Sequence, residues 1–180
     1  MSRDTSPHPH DTEILDLVNS SDEVIGQIPR SSFPHRAPHG AYIRVVDCFL
    51  RNSSGELWIP RRSHTKKLAP GALDYSMGEH VTTGESYEDA ALRGFTEELN
   101  LTITPSDLTL LTKIPPTPTK PFFQALYLHT TDTTPHYNEA DFIEAHWLTP
   151  QALHTLITSG TPTKPSLPST LTHYLSLAHP

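Results

Sequence analysis

The chain has 180 residues and a formal net charge of −7. This length suits one domain in which helices cover a sheet, and the acidic balance argues against a protein that coats nucleic acid or binds a membrane surface. No apolar run approaches the length of a membrane span, and the polar amino-terminal segment lacks the apolar core of a signal peptide. We therefore expect a cytoplasmic protein that binds neither a membrane nor a nucleic-acid duplex.

Cysteine and histidine usage narrows the chemistry further. The single cysteine, Cys48, excludes an internal disulfide, and the 12 histidines are scattered along the chain. They form no cluster with the spacing of a zinc site.

The amino-terminal part of the chain predicts a small hairpin. We expect residues 1–12 to be disordered and residues 13–180 to form one domain. Residues 13–19 and 23–29 alternate apolar and polar side chains around a Ser-Ser-Asp turn, which predicts a β-hairpin. Residues 30–40 are predicted to form a loop or a short helix.

Strands and helices interleave through the rest of the chain. Strands are predicted at 41–52, 56–63, 101–114, 122–130 and 142–149, with a short strand ending the 63–77 loop. Helices are predicted between Ser86 and Asn100, from Pro150 to about residue 158, and at 165–178. Mostly short connections between such elements indicate an α/β fold with a mixed sheet between helices.

The segment 78–101 carries most of the information about function. Its first half, Gly78 to Gly84, is a glycine-punctuated loop that can bring backbone close to a ligand. Ser86 fits a helix N-cap, with Asp89 three residues later as in a capping box. Asn100 is a suitable left-handed residue to end the helix.

This helix is predicted to have one apolar and one acidic side. At about 100° per residue, the apolar side carries Leu92, Phe95 and Leu99. Glu97 and Glu98 fall opposite, flanking a line of small residues through Ala90 and Gly94. Oxygen ligands of this kind suit Mg²⁺ or Mn²⁺. The alternative to metal binding is that the two glutamates form a solvated face. Acids in the last turn oppose the helix dipole, however, so they are not there to stabilise the helix.

Loop and helix together resemble the Nudix box, whose family pattern is G-x5-E-x7-R-E-U-x-E-E-x-G-U, with U a bulky apolar residue. The matching positions are Glu85, Arg93, Phe95, Glu97, Glu98 and Leu101. The resemblance implies a Nudix-type α/β/α sandwich over residues 41–160, with the hairpin at 13–29 as an extension seen in one subgroup.

Three positions depart from the family pattern. Glu79 replaces the opening glycine, Gly94 the glutamate after the arginine, and Asn100 the final glycine. In the family that glutamate is commonly a metal ligand or the base that activates water. Gly78 matches the glycine whose carbonyl typically touches the metal, and our hypothesis is that Glu79 supplies the carboxylate missing at position 94.

Residues outside the box add a candidate phosphate site. Arg61, Arg62, Lys66 and Lys67 lie just upstream of the loop, and arginine can contact phosphate oxygens in a bidentate manner. The alternative is that these four side chains are only solvated charges of a loop.

Part of the chain also resembles isopentenyl-diphosphate isomerases, a Nudix branch, through W-I-P-R-R-S at 58–63 and P-G-A-L-D at 70–74. Those isomerases use a cysteine in the strand before the box and a later glutamate. Met77 stands about where that cysteine belongs, Cys48 is distant in sequence, and residues 101–138 contain no glutamate. The sequence therefore argues against isomerase activity.

Several further residues have both a functional and a structural interpretation. Asp141 or Glu139 could assist a metal or water, or could only keep a loop soluble. The strand aromatics could stack on a base or pack in the core: Phe122, Phe123 and Tyr127. The resemblance implies that Arg93 orients the carboxylates and that Glu85 supports the metal ligands from behind.

The main prediction is a Mg²⁺- or Mn²⁺-dependent hydrolase that splits a nucleoside diphosphate linked to another group, X. In this interpretation Glu97, Glu98, Glu79 and the Gly78 carbonyl hold metal, and the upstream cations and Phe123 bind the substrate. The alternative is a Nudix-fold nucleotide-binding module with weak or no catalysis, because position 94 lacks its glutamate. The sequence leaves open whether the hairpin pairs with a second subunit in a homodimer.

Overall fold

The computed structural model describes residues 12–178, so most of the segment predicted to be disordered lies outside the described residues. The strands are β1 Ile14–Val18, β2 Val24–Pro29, β3 Ile43–Arg51, β4 Leu57–Arg62, β5 Met77–His80, β6 Leu108–Ile114, β7 Phe122–Thr130 and β8 Phe142–Leu148. The helices are α1 Tyr87–Leu99, α2 Pro150–Thr158 and α3 Leu167–Ala178. No helix of the described part of the chain is long and apolar enough to cross a membrane.

Six strands form one mixed sheet, as predicted. The order is β6-β7-β3-β4-β8, and β5 pairs with β3 outside this path. Strands β3 and β7 run parallel, and the other pairs are antiparallel. Helix α1 packs on one face through Phe95 and Leu99, while α2 and α3 cover the other face through Leu153, Leu167 and Leu171. The α/β/α sandwich is thereby confirmed.

Strand β3 divides its edge between two partners. Its residues 45–48 pair with β5, and Arg51 pairs with Leu57 of β4. Between these contacts the Ser76 hydroxyl accepts from the Leu50 N–H at 2.7 Å and donates to the Trp58 carbonyl at 2.6 Å. One side chain therefore satisfies buried backbone groups where the strands separate.

The predicted hairpin is confirmed as a separate two-stranded sheet that contacts the box loop. The Thr83 N–H donates to the Ile14 carbonyl at 2.9 Å, and the Gly84 N–H donates to the Asp16 carboxylate at 3.2 Å. A cluster of buried apolar residues joins the hairpin to the start of β3: Leu15, Leu17, Ile28, Ala41 and Ile43. The hairpin thus holds the loop that precedes α1.

Helix α1 has the predicted caps but a shifted buried face. The Ser86 hydroxyl accepts from the Asp89 N–H, and Asn100 ends the helix with φ 50°. Phe95 and Leu99 are buried as expected, whereas Leu92 is only half-buried. The small residues Ala90, Ala91 and Gly94 are buried instead, because strand β5 lies directly against them.

Two predicted boundaries are wrong. Residues 78–80 belong to strand β5 rather than to a loop, since β3 supplies their pairing partners. The strand predicted at 101–114 begins only at Leu108, because Pro105 starts a short 3₁₀ turn capped by Thr104 and Asp107. Proline lacks the N–H that a strand ladder requires.

Gly94→Ala tests the contact between β5 and α1. A Cβ at position 94 would lie 2.4 Å from Met77 Sδ and 2.8 Å from Glu79 Cγ, and both side chains are buried. Alanine favours the helix by about 1 kcal/mol, but overpacking costs about 1–3 kcal/mol. We expect Gly94→Ala to lower the free energy of unfolding in urea by about 1 kcal/mol.

The matched background is Met77→Ala, which removes the sulfur. There we expect the same Gly94→Ala change to raise the free energy of unfolding, because the helix preference is then opposed by far less crowding. An effect of equal sign and size in both backgrounds would show that the two positions do not compete for space.

Candidate functional site

An acidic pocket lies between the end of α1, strand β5 and the loop before β8. It has a volume of about 300 Å³ and is lined by Glu79, Glu97, Glu98, Asn138 and Asp141. The Asn138 N–H donates to the Glu98 carbonyl at 2.7 Å, which ties this loop to the last turn of α1. Glutamates from the box therefore share one pocket with Asp141, while Glu139 is exposed.

Glu79 faces helix α1 at Gly94, the helix residue that has no side chain. Met77 and Glu79 point to the α1 side of β5, and Glu79 is 7% exposed. Its Cγ lies 2.8 Å from the position that a Cβ on Gly94 would take. The carboxylate of Glu79 thus enters the acidic pocket across the surface of Gly94.

Arg93 connects the box glutamates. Its guanidinium contacts Glu85 at 2.8 Å, Glu97 at 3.2 Å and Glu79 at 3.5 Å, and donates to the His80 carbonyl at 2.8 Å. Glu85 in turn accepts from the Thr82 N–H at 2.9 Å. This network joins the carboxylates to the backbone of the loop.

Glu98 is a carboxylate of the pocket whose charged form is disfavoured. Burial raises its pKa well above the ordinary value, and the neighbouring carboxylates of Glu79 and Asp141 raise it further. The Gly78 N–H donates to Glu98 at 3.2 Å. A partly buried carboxylate among other acids favours a nearby cation.

The pocket fits a divalent metal in the chemistry of its ligands rather than in their present positions. Its side chains offer carboxylate and amide oxygens as metal ligands, and Mg²⁺ and Mn²⁺ prefer such ligands. Within residues 12–178, however, no three His, Cys, Asp or Glu side chains meet closely enough to hold a metal ion. Glu97 is 48% exposed and turned to Arg93, and Asp141 is paired with Lys66.

A cationic cleft adjoins the acidic pocket and shares Glu79 and Glu98 with it. Its basic lining residues are Arg30, Arg62, Lys66, Lys67 and Lys164. Arg62 lines the cleft and pairs with Asp74. Arg61, the adjacent residue of β4, instead contacts Glu144 of β8 and the Gly71 carbonyl. Of the two arginines predicted to bind phosphate, Arg62 is thus the one placed on the cleft.

Lys164 lines the cleft and was not identified from the sequence. Its ammonium lies 3.3 Å from Asp74 and 3.9 Å from Asp47. Backbone pairing places it there, since the Lys164 N–H donates to the Leu73 carbonyl at 2.8 Å. No local pattern signals that long-range pairing.

The strand aromatics fall on two faces. Phe123 and Tyr127 pack with the core under α1, and Phe123 meets Tyr42 edge-on at 6.0 Å between ring centroids. Phe122 points to the opposite face and lines a separate cavity there. Phe122, rather than Phe123, is therefore the aromatic residue on a cavity.

The box helix, the carboxylate pocket and the sandwich define a Nudix domain. A family model described as NUDIX domain matches residues 41–169. The chain belongs to the Nudix hydrolase family, whose members generally use divalent metal ions.

The relatives agree with this assignment. The chain is 44% identical over 158 residues to an uncharacterized Nudix hydrolase of Nostoc sp., covering 87% of this chain and 92% of that protein. The crystal structure of DR0079 from Deinococcus radiodurans superposes with a TM-score of 0.79 at 42% identity, covering 89% of this chain and 98% of that one.

The chain is also similar to an isopentenyl-diphosphate Delta-isomerase of Paenarthrobacter aurescens, at 32% identity over 99 residues, 55% of this chain and 53% of that protein. Met77 is fully buried in the core here. Cys48, although distant in sequence, is the cross-strand partner of Met77 and is also fully buried. Burial raises the pKa of its thiol well above the ordinary value, so Cys48 is uncharged at neutral pH.

Asp47, a buried carboxylate near Lys164, makes the stability of the protein depend on pH. Burial raises its pKa to about 7 from an ordinary value of 3.8, a rise that Lys164 opposes and Asp74 increases. Between these two values the folded state holds a proton that the unfolded state has lost, so stability falls as pH rises through this window. We expect the wild type to lose at least about 1 kcal/mol more than Asp47→Asn between pH 4 and pH 8 in urea unfolding.

Asp132→Asn is the matched control. Asp132 accepts from the Ser53 N–H, which lowers its pKa, so its contribution changes only at lower pH. A stability difference between wild type and Asp47→Asn that stays constant from pH 4 to pH 8 would contradict the assignment.

Proposed function

We propose that the protein is a Mg²⁺- or Mn²⁺-dependent hydrolase that cleaves the diphosphate bond of a nucleoside diphosphate or a nucleoside-diphosphate-linked compound. The observation that carries the proposal is the position of Glu79. Its carboxylate reaches the acidic pocket over the side-chain-free Gly94 and joins Glu98 there. The strand thus provides the acid that the helix lacks.

The proposed roles follow from the placement of each residue. Glu79, Glu97, Glu98 and the Gly78 carbonyl would hold the metal, with Asp141 in support. A divalent cation bound there neutralises diphosphate charge and lowers the pKa of water. Arg62 and Lys66 lie along the adjoining cleft, where they would bind the phosphates. Arg93 and Glu85 would keep the carboxylates oriented.

Release of phosphate or of a monophosphate from a panel of nucleotides, with Mg²⁺ or Mn²⁺, tests the proposal. We expect Glu98→Gln to lower kcat at least about 100-fold, because it removes a charged ligand at the reacting diphosphate. Glu79→Gln should lower kcat about 10- to 100-fold. Mn²⁺ binding, followed by electron paramagnetic resonance, should weaken in both variants.

Glu88→Gln is the matched control, because Glu88 is an exposed glutamate in the first turn of the same helix. It should leave both turnover and Mn²⁺ binding unchanged. Full turnover in Glu98→Gln would contradict the proposal. Full turnover in Glu79→Gln alone would remove the role of Glu79 and leave hydrolysis standing.

A nucleotide-binding module without catalysis is the second candidate, favoured by the absence of a side chain at position 94. Gly94→Glu separates the two candidates. A side chain there would collide with Met77 and Glu79. If Glu79 already provides the carboxylate, we expect Gly94→Glu to lower turnover at least about 10-fold. A wild type that binds nucleotide without turnover and gains turnover from Gly94→Glu would establish the binding module.

A further inference from the structure

The loop between β4 and β5 places one lysine where the cationic cleft meets the acidic pocket. Lys66 lines the cleft and pairs with Asp141, which lines the pocket. The two side chains are 16% and 13% exposed, so solvent screens this pair less than an ion pair on the surface. The Ser63 N–H donates to the Asp141 carbonyl at 2.8 Å, and the Lys66 N–H donates to the Ser63 carbonyl at 3.1 Å. Backbone hydrogen bonds therefore keep the two paired residues within reach of each other.

Lys66 differs from Arg93, which also pairs with an acid of the pocket. Arg93 donates to the His80 carbonyl at 2.8 Å as well as contacting Glu97, so it keeps a partner when Glu97 turns away. In the described part of the chain, the Lys66 ammonium has Asp141 as its only hydrogen-bond or ion-pair partner. Its four-carbon stem is flexible. The ammonium can therefore leave Asp141 and turn into the cleft while the backbone stays in place.

This pair opposes each ligand of the proposed site when that ligand binds alone. Asp141 must leave the Lys66 ammonium before it can ligate a metal ion, which deprives that ammonium of its partner. Lys66 must leave Asp141 before it can pair with a diphosphate, which leaves this carboxylate beside Glu79 and Glu98 without its cation. Separating a partly buried pair is costly because each charge loses its partner. When both ligands bind, each charge has a new partner and the cost is met only once.

We infer that Lys66 couples metal binding to diphosphate binding: it pairs with Asp141 until that carboxylate ligates a divalent metal, and it then pairs with the diphosphate. The inference rests on the proposed function, which places the metal beside Asp141 and the diphosphate in the cleft. It goes further because one ion pair then links the two binding events. By linkage, each ligand must strengthen the binding of the other.

Binding of one ligand at a time tests the inference without turnover. Electron paramagnetic resonance gives the Mn²⁺ affinity without diphosphate, and calorimetry gives the methylenediphosphonate affinity in a chelator without metal. We expect Lys66→Gln to bind Mn²⁺ at least about 3-fold more tightly than the wild type, because Asp141 no longer has to leave a lysine. We expect Asp141→Asn to bind methylenediphosphonate at least about 3-fold more tightly, because Lys66 is released. Loss of a merely structural contact would weaken binding instead.

Lys113→Gln is the matched control. It also removes a lysine from an ion pair with an aspartate, Asp22, and neither residue lines the acidic pocket or the cationic cleft. It should alter neither affinity. The double variant of Lys66 and Asp141 separates their pairing from the general field of the site. In the Asp141→Asn background, Lys66→Gln should change the Mn²⁺ affinity less than about 1.5-fold.

Three results would overturn the inference alone. The first is a Mn²⁺ affinity that stays the same or falls in Lys66→Gln. The second is a methylenediphosphonate affinity in Asp141→Asn no higher than that of the wild type. The third is an equal gain in Mn²⁺ affinity from Lys66→Gln whether position 141 is aspartate or asparagine. A wild type that binds no Mn²⁺ would overturn the proposed function as well.

Discussion

The close approach of strand β5 to helix α1 at Gly94 is the contact on which the rest of the site depends. Only a residue without a side chain leaves room there for Met77 Sδ and Glu79 Cγ. Met77 thereby joins Phe95 in the core, and Glu79 joins Glu98 in the acidic pocket. Two of the three departures from the family pattern, Gly94 on the helix and Glu79 on the strand, are thus two sides of one contact.

Ion pairs surround that contact on both sides. Arg93 holds the acids on the α1 side, and Lys164 with Arg62 holds Asp74 on the other. Buried ion pairs destabilise the folded state unless their charges are balanced and their polar atoms are hydrogen-bonded. Glu98 is the exception, because its backbone partner Gly78 offers only a neutral N–H. Burial and the neighbouring carboxylates raise its pKa, and an added cation beside it would offset that repulsion.

Local sequence patterns predicted the parts of the fold that local chemistry decides. Ser86, Asp89 and Asn100 identify the ends of α1 because caps depend on a few neighbouring residues. The choice of Arg62 over Arg61, or Phe122 over Phe123, depends on strand register, in which one residue exchanges the two faces. Lys164 depends on backbone pairing with Leu73, far away in the chain. Neither the strand register nor this long-range pairing can be predicted from composition or residue spacing.

The short strand β5 lies between two spaces that are lined in different ways. Its four residues alternate between the α1 face, with the carboxylates, and the α3 face, with the cavity that Phe122 lines. Apart from Leu68 and the residues of β5, the cavity is lined by residues of β3, of β7 and the loop before it, and of the segment before α3, none of which lines the acidic pocket. Substitutions at these positions therefore alter the shape of the cavity while the carboxylates of the acidic pocket keep their partners. Glu79 lines both the acidic pocket and the cavity, so a substitution there changes both spaces.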